Sequence, residues 1–405
     1  MTVSVSTLPQ TEDILARLVG RVLHIEDTTW GSAKQGYLAR FRGQLHGDSH
    51  IAYEQLAAAL LPYEVTPLFR VEDKRHVIFL VEGINHRRPS NPWINLGLFI
   101  LTLMSVLFAG ALYGYDGPVT GNIFQDIMHI LANLANGWPF AISMLGILLA
   151  HEFGHYLAAR YHKTDVTLPY FIPFPFSPFG TMGAAIRLKE PPKNKRVLLD
   201  ISVAGPLAGL VAAIPVLLIG LSTSQVQQLP DVFPPGQAFE GNSILYLGIK
   251  FLITGRWLPE PASFGGSNPL LYWIRYFFSG LPMPKGGVDV TLNSVAWAGW
   301  AGLLVTALNL IPAGQLDGGH LIYVLLGRRA RRLMPFILGA LLLLGLVWSG
   351  WWLWAILIFI LGRAYAEPLD QITTLDPRRR AIALLGLIIF ILVFTPVPLI
   401  TPFGG

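Results

Sequence analysis

The chain has 405 residues, 53% of them hydrophobic and only 13% charged, with a formal net charge of +5 and no cysteine. That balance excludes a disordered chain, which needs high charge and little apolar material, and the missing cysteines exclude a disulfide-stapled scaffold. Mean hydropathy is +0.51 and charge gathers in short clusters between long apolar runs, so the composition predicts a polytopic α-helical membrane protein.

Residues 1–88 are a different material from the rest. They mix charge with short alternating runs such as His76–Glu82, the period of a strand, and Ser49–Leu60 carries apolar residues at helical spacing. The expectation is a small α+β domain outside the lipid. The first residues lack the basic stretch and apolar core of a signal peptide, so this domain is expected to stay cytosolic. Its sequence suggests no nucleophile–base grouping and no metal cluster.

From residue 91 onward the apolar windows approach or exceed the roughly 20 residues that cross a bilayer as helix. The first two are 94–113 and 138–159. The stretch 166–186 carries Pro169, Pro173, Pro175 and Pro178, which argue against a regular spanning helix, so it reads as a re-entrant segment buried against protein. Further windows follow at 197–221, 293–327, 333–347, 350–362 and 381–397, with 333–347 and 350–362 hinged near Ser349 and Gly350. Segment 222–292 offers only short apolar stretches, at 243–255 and 262–274. The expected count is seven spans, or nine if both stretches cross.

Basic residues cluster at 187–196, 328–332 and 378–380, each beside an apolar window. The positive-inside bias puts all three in the cytosol. It predicts a cell-membrane protein with a cytosolic N-terminus and Gly405 on the outer side. The same bias accounts for a pI near 9.4 without nucleic acid as a partner.

At the inner end of the second window stands His151-Glu152-Phe153-Gly154-His155. Residues four apart share a helix face. Both imidazoles therefore reach one metal while Glu152 reaches a water beside it, the arrangement of a zinc peptidase. Three ionisable groups in an apolar helix are costly and point to function. Two histidines leave zinc short of a third protein ligand. The candidates are Asp317, the one charged residue between Asp289 and Arg328, and His320. Pro312 with Gly314, Gly318 and Gly319 predicts a helix break nearby.

These boxes resemble those of the site-2 protease family, the intramembrane zinc metalloproteases. The resemblance spans residues 90–330 and rests on four stretches. They are His151–His155, Phe179-Gly-Thr-Met-Gly-Ala184, Asp200-Ile-Ser-Val-Ala-Gly-Pro-Leu-Ala-Gly209 and the box from Asn309 to Leu316-Asp-Gly-Gly-His320. It implies that His151, His155 and Asp317 bind one zinc ion and that Glu152 is the catalytic base. It also implies Asn309 as a catalytic polar group facing substrate or the developing oxyanion. Gly180, Thr181, Met182 and Gly183 would be a membrane-embedded edge strand that binds unwound substrate. Phe41-Arg42-Gly43 and the helices after the second box are similar to the bacterial and chloroplast branch named for ethylene-dependent, gravitropism-deficient plants.

On this resemblance residues 91–330 form the protease core and 331–405 add C-terminal helices. The partners implied are single- or multi-span membrane-protein substrates met in the lipid bilayer. Segment 222–292 has no PDZ pattern, so selection by a PDZ domain is not expected. Two rival readings fit part of the sequence. A secondary transporter leaves Glu152 between two histidines unexplained. An inactive scaffold acting through residues 1–88 is unsupported, since every implied catalytic residue is present.

Overall fold

A computed structural model describes residues 9–31, 35–83, 90–115, 117, 121–233, 238–362 and 366–400. The expected domain edge at residue 88 and the expected position of Gly405 lie outside the described residues.

The chain opens with α1 (Pro9–Gly20), β1 (Leu23–Trp30), β2 (Ala39–Leu45), α2 (Ser49–Leu60), β3 (Val65–Glu72) and β4 (Arg75–Glu82). The strands form one sheet in the order β1-β2-β4-β3, all antiparallel. Successive strand side chains point to opposite faces, and β2 accordingly buries Ala39, Phe41, Gly43 and Leu45. Ala39, Phe41 and Leu45 share a core with Leu15, Val19 and Leu56 from the two helices. Asp73 and Lys74, both at positive φ, close the β3–β4 hairpin with the turn that matches strand twist.

The free edge of β3 is covered from the far end of the sequence. Phe69 N–H donates to Leu369 O (2.9 Å) and Gln371 N–H donates to Phe69 O (3.1 Å). The other edge of this short segment bonds to the loop before the third long apolar helix, Leu369 N–H to Pro192 O (3.0 Å) and Asp370 N–H to Lys193 O (2.8 Å). Arg70 Nη1 donates to Leu369 O (2.7 Å), and Leu369 and Ile372 pack against the N-terminal core. Residues 331–405 are therefore not helices alone, because their middle joins the N-terminal sheet.

The apolar body begins with α3 (Pro92–Tyr113), α4 (Ile123–Ala132), α5 (Trp138–Tyr161), β5 (Tyr170–Pro173), β6 (Thr181–Ala185) and α6 (Lys195–Ser222). Helices α3, α5 and α6 are each long and apolar enough to cross a membrane. Window 166–186 is a β-hairpin lying along α3. Asn95 Nδ2 donates to Leu168 O (2.9 Å) near one end of that helix, Ser105 Oγ to Gly180 O (2.5 Å) midway, and Tyr113 OH to Pro178 O at the other end. Its backbone polar groups thus find protein partners, which irregular chain at membrane depth requires. The amphipathic helix α4 was not foreseen. With 10 residues it is about 15 Å long, and it exposes Ile123, Phe124 and Met128.

There follow β7 (Gln225–Gln228), β8 (Phe239–Glu240), α7 (Ile244–Thr254), α8 (Pro269–Ser279), β9 (Val288–Thr291), α9 (Ser294–Asn309) and α10 (Asp317–Leu326). The last elements are α11 (Met334–Leu344), α12 (Gly350–Leu361), α13 (Pro377–Val393) and β10 (Leu399–Ile400). At 11 residues each, α7 and α8 are about 16 Å long, half of a roughly 30 Å hydrocarbon core. The single window 293–327 is two helices, broken at 310–316 where Pro312 stands and Gly314 takes φ +57°.

The two ends of the body differ. At one end Arg196 reaches Asp48 of the N-terminal domain (3.6 Å) and Arg379 pairs with Asp200 near the start of α6 (2.7 Å). Arg331 bridges Glu367 (2.7 Å), close before the segment that joins the N-terminal sheet, so the three basic clusters lie at the end where that domain docks. At the other, β7 pairs with β9 and β8 with β10. There the wholly buried Lys250 lies 3.5 Å from Asp289 and 3.8 Å from Glu240. The cluster brings α7, β8 and β9 together, and removing one partner of such a buried charge costs about 3–5 kcal/mol.

Candidate active site

Helix α5 carries His151 and His155 one turn apart, 3% and 6% exposed, so both rings face protein rather than lipid. Their Nε2 atoms are 3.2 Å apart. Asp317 begins α10 immediately after the break, and its Oδ2 lies 3.3 Å from His155 Nε2 and 3.7 Å from His151 Nε2. Tetrahedral ligands at about 2.0–2.1 Å from zinc stand about 3.3 Å from one another. The three atoms therefore surround a point that fits zinc, with room for a fourth ligand from the cavity.

His155 is held in ligand geometry by α6, against which His151 also packs. His155 Nδ1 donates to Ile201 O (2.7 Å), which leaves its Nε2 lone pair for the metal. The rings come this close to α6 because Gly205 and Gly209 have no side chain there. A Cβ on Gly205 would sit 2.0 Å from His155 Nε2, and one on Gly209 would sit 3.1 Å from His151 Nδ1. Pro206, inside the helix, cannot donate to the carbonyl four residues back, which loosens the helix at that level. The Asp200–Gly209 box is thus the wall against which the metal ligands are set.

Glu152 is 4% exposed and borders a cavity of about 260 Å³ together with the three converging residues. Ile186 lines the same cavity. Asn309, the last residue of α9, brings its Nδ2 to 3.3 Å from His151 Nε2, beside the metal position. His320 lines the cavity one turn beyond Asp317 and is not among the converging ligand atoms.

Of the stretch Gly180–Gly183, no residue lines this cavity. Gly180 packs on Ser105 and Val106 of α3, and the Thr181 hydroxyl donates back to Ile172 O (2.8 Å). Met182 is exposed and Gly183 has open space around it. The cavity is bordered by the residues that directly follow, Ala184 and Ala185 at the end of the same strand and Ile186 beyond it. Sequence reasoning missed Gly205 and Gly209, although small residues four apart are the usual signal for helices in close contact.

Residues 139–347 match the profile described as Peptidase family M50. A relative described as probable zinc metalloprotease EGY2, chloroplastic, from Arabidopsis thaliana is 29% identical over 88% of this chain and 60% of its own length. One described as probable zinc metalloprotease EGY1, chloroplastic, from Oryza sativa subsp. japonica is 30% identical over 91% of this chain and 64% of its own. The chain thus spans somewhat under two thirds of these relatives. No solved structure matches it. The match runs from the start of α5 through α11, across the histidines, the α6 wall and Asp317, and the chain belongs to Peptidase family M50.

Proposed function

We propose that this protein is an intramembrane zinc-dependent endopeptidase that hydrolyses a peptide bond in transmembrane segments of other proteins, near the cytosolic face. The observation that carries this reading is Glu152, a buried carboxylate in a spanning helix, beside two histidines that converge on Asp317. A transporter gives that carboxylate no task. His151, His155 and Asp317 would hold the zinc, which when bound supplies Lewis acidity and brings the pKa of water toward neutrality.

The chain's own groups do the rest. Glu152 takes the proton of the attacking water and delivers it to the leaving amine. The Asn309 amide donates to the scissile carbonyl oxygen as negative charge develops there. A substrate helix hides its carbonyls in its own hydrogen bonds and must unwind before attack. Strand β6 supports this step, since β5 bonds one of its edges and no described strand pairs with the other. That edge, continuing from Met182 and Gly183 into Ala184–Ile186, would replace the lost bonds by strand addition.

The N-terminal domain is cytosolic and residues 394–400 are extracytosolic in this reading, in a cell membrane. The support is that all three basic clusters gather at the end where the N-terminal sheet docks. Reporter fusions at residue 45 and in the 222–240 loop should report the cytosol and the outer side, respectively. A cytosolic 222–240 loop contradicts this orientation.

The activity itself is tested in liposomes with a single-span peptide. Cleavage should cease when a chelator removes the metal and return when zinc is restored. Cleavage that continues after full metal removal overturns the reading.

A further inference from the structure

Next to Ile201, whose carbonyl holds His155, stands a charged group that the reaction does not use. Asp200 projects from α6 and is grasped from two other helices. Arg379, in the first turn of α13, donates from Nε to Asp200 Oδ1 (3.0 Å) and from Nη2 to Oδ2 (2.7 Å), a forked pair. His162, which caps the end of α5, donates from Nε2 to Asp200 Oδ2 (2.9 Å). Arg379 is itself steadied by Asp376 (2.8 Å).

From this geometry we infer that Arg379, Asp200 and His162 form a brace that positions the zinc ligand His155, so that Asp200 and Arg379 are positioning residues for the metal site. One carboxylate ties the helix that bears both histidines, through His162, to the helix whose next carbonyl orients His155. A forked guanidinium–carboxylate pair fixes direction as well as distance, which a single-point lysine contact does not. The contact tolerates little displacement, because α6 approaches His155 closely enough that even a Cβ on Gly205 would collide with the ring. A slide of α6 along α5 by a fraction of a turn would break the 2.7 Å bond from His155 and bring backbone against the imidazole. Arg379 also lies just past the 369–371 segment bonded to the N-terminal sheet. The brace is therefore the place where that domain's docking meets the metal site.

The inference rests on the zinc-site reading above, and the test separates the two. The full chain is purified in detergent, stripped of metal, and titrated with zinc against a competing chelator. Cobalt(II) is added in parallel as a spectroscopic probe of ligand geometry. Asp200→Asn and Arg379→Gln should each weaken zinc binding about 10–100-fold, the range for residues that orient metal ligands, and alter the cobalt spectrum. The double variant should lose little more than either single one, because the two act as one unit. Arg378→Gln, at an exposed neighbouring position, should bind as wild type does. If Asp200→Asn does not fold, Arg379→Lys serves in its place: charge is kept and the fork lost, so a few-fold weaker affinity with a shifted spectrum is expected. Unchanged affinity and spectrum in folded variants, with only a lower melting temperature, overturn the brace and leave the zinc site standing. A wild-type chain that binds no zinc overturns the site reading and this inference with it.

Discussion

Glu152→Gln is expected to cleave a single-span substrate at least about 100-fold more slowly than wild type, the lower range for loss of a general base, while keeping its full zinc. The substitution preserves size at a buried position, but an amide cannot take a proton from water. Zinc is retained because the three converging ligand atoms belong to His151, His155 and Asp317. The uncleaved substrate should accordingly be easier to capture on the variant than on the wild type. The assay measures cleavage and zinc on the same preparation. A near wild-type rate with full zinc contradicts the assigned role. Joint loss of zinc and activity makes Glu152 a ligand instead.

Gly205→Val should all but abolish zinc binding, by more than about 100-fold, the upper end for residues that support a metal site. No ligand is removed. The effect is steric, because the first carbon of any side chain there falls 2.0 Å from His155 Nε2 and the ring must leave its place. Gly146→Ala is the matched control, since it adds a carbon to α5 itself where nothing lies within 4 Å. That change should leave zinc and activity intact and stabilise the helix by up to about 1 kcal/mol. Zinc bound by Gly205→Val with wild-type affinity would show that α6 does not set the ligands.

What the sequence disclosed, and what it hid, follows from the range of the interactions. His151 and His155 were legible because four residues of helix bring them to one face regardless of the rest of the fold. Asp317 was legible as an isolated charge in apolar surroundings. The long windows were legible because bilayer thickness sets a length. The prolines of 166–186 argued against a helix without saying what replaces it, since the hairpin owes its place to Asn95, Ser105 and Tyr113 on a different helix. Which residues of that strand border the cavity depends on its register along α3, so the lining by 184–186 was not legible from the sequence. The 369–371 segment was illegible for the same reason, as its partner Phe69 is 300 residues away. Helix α4 was overlooked because its apolar residues fill one face rather than a continuous run.

The central claim, that two α5 histidines and the first residue of α10 together hold one zinc, is tested most directly by counting metal. Wild type, His155→Ala and Asp317→Ala are purified alike, and zinc per chain is measured on each after dialysis against a weak chelator. About one zinc per wild-type chain, and close to none in either variant with its fold intact, is the predicted result for a site with three protein ligands. Stoichiometric zinc held with unchanged affinity by folded His155→Ala would contradict it.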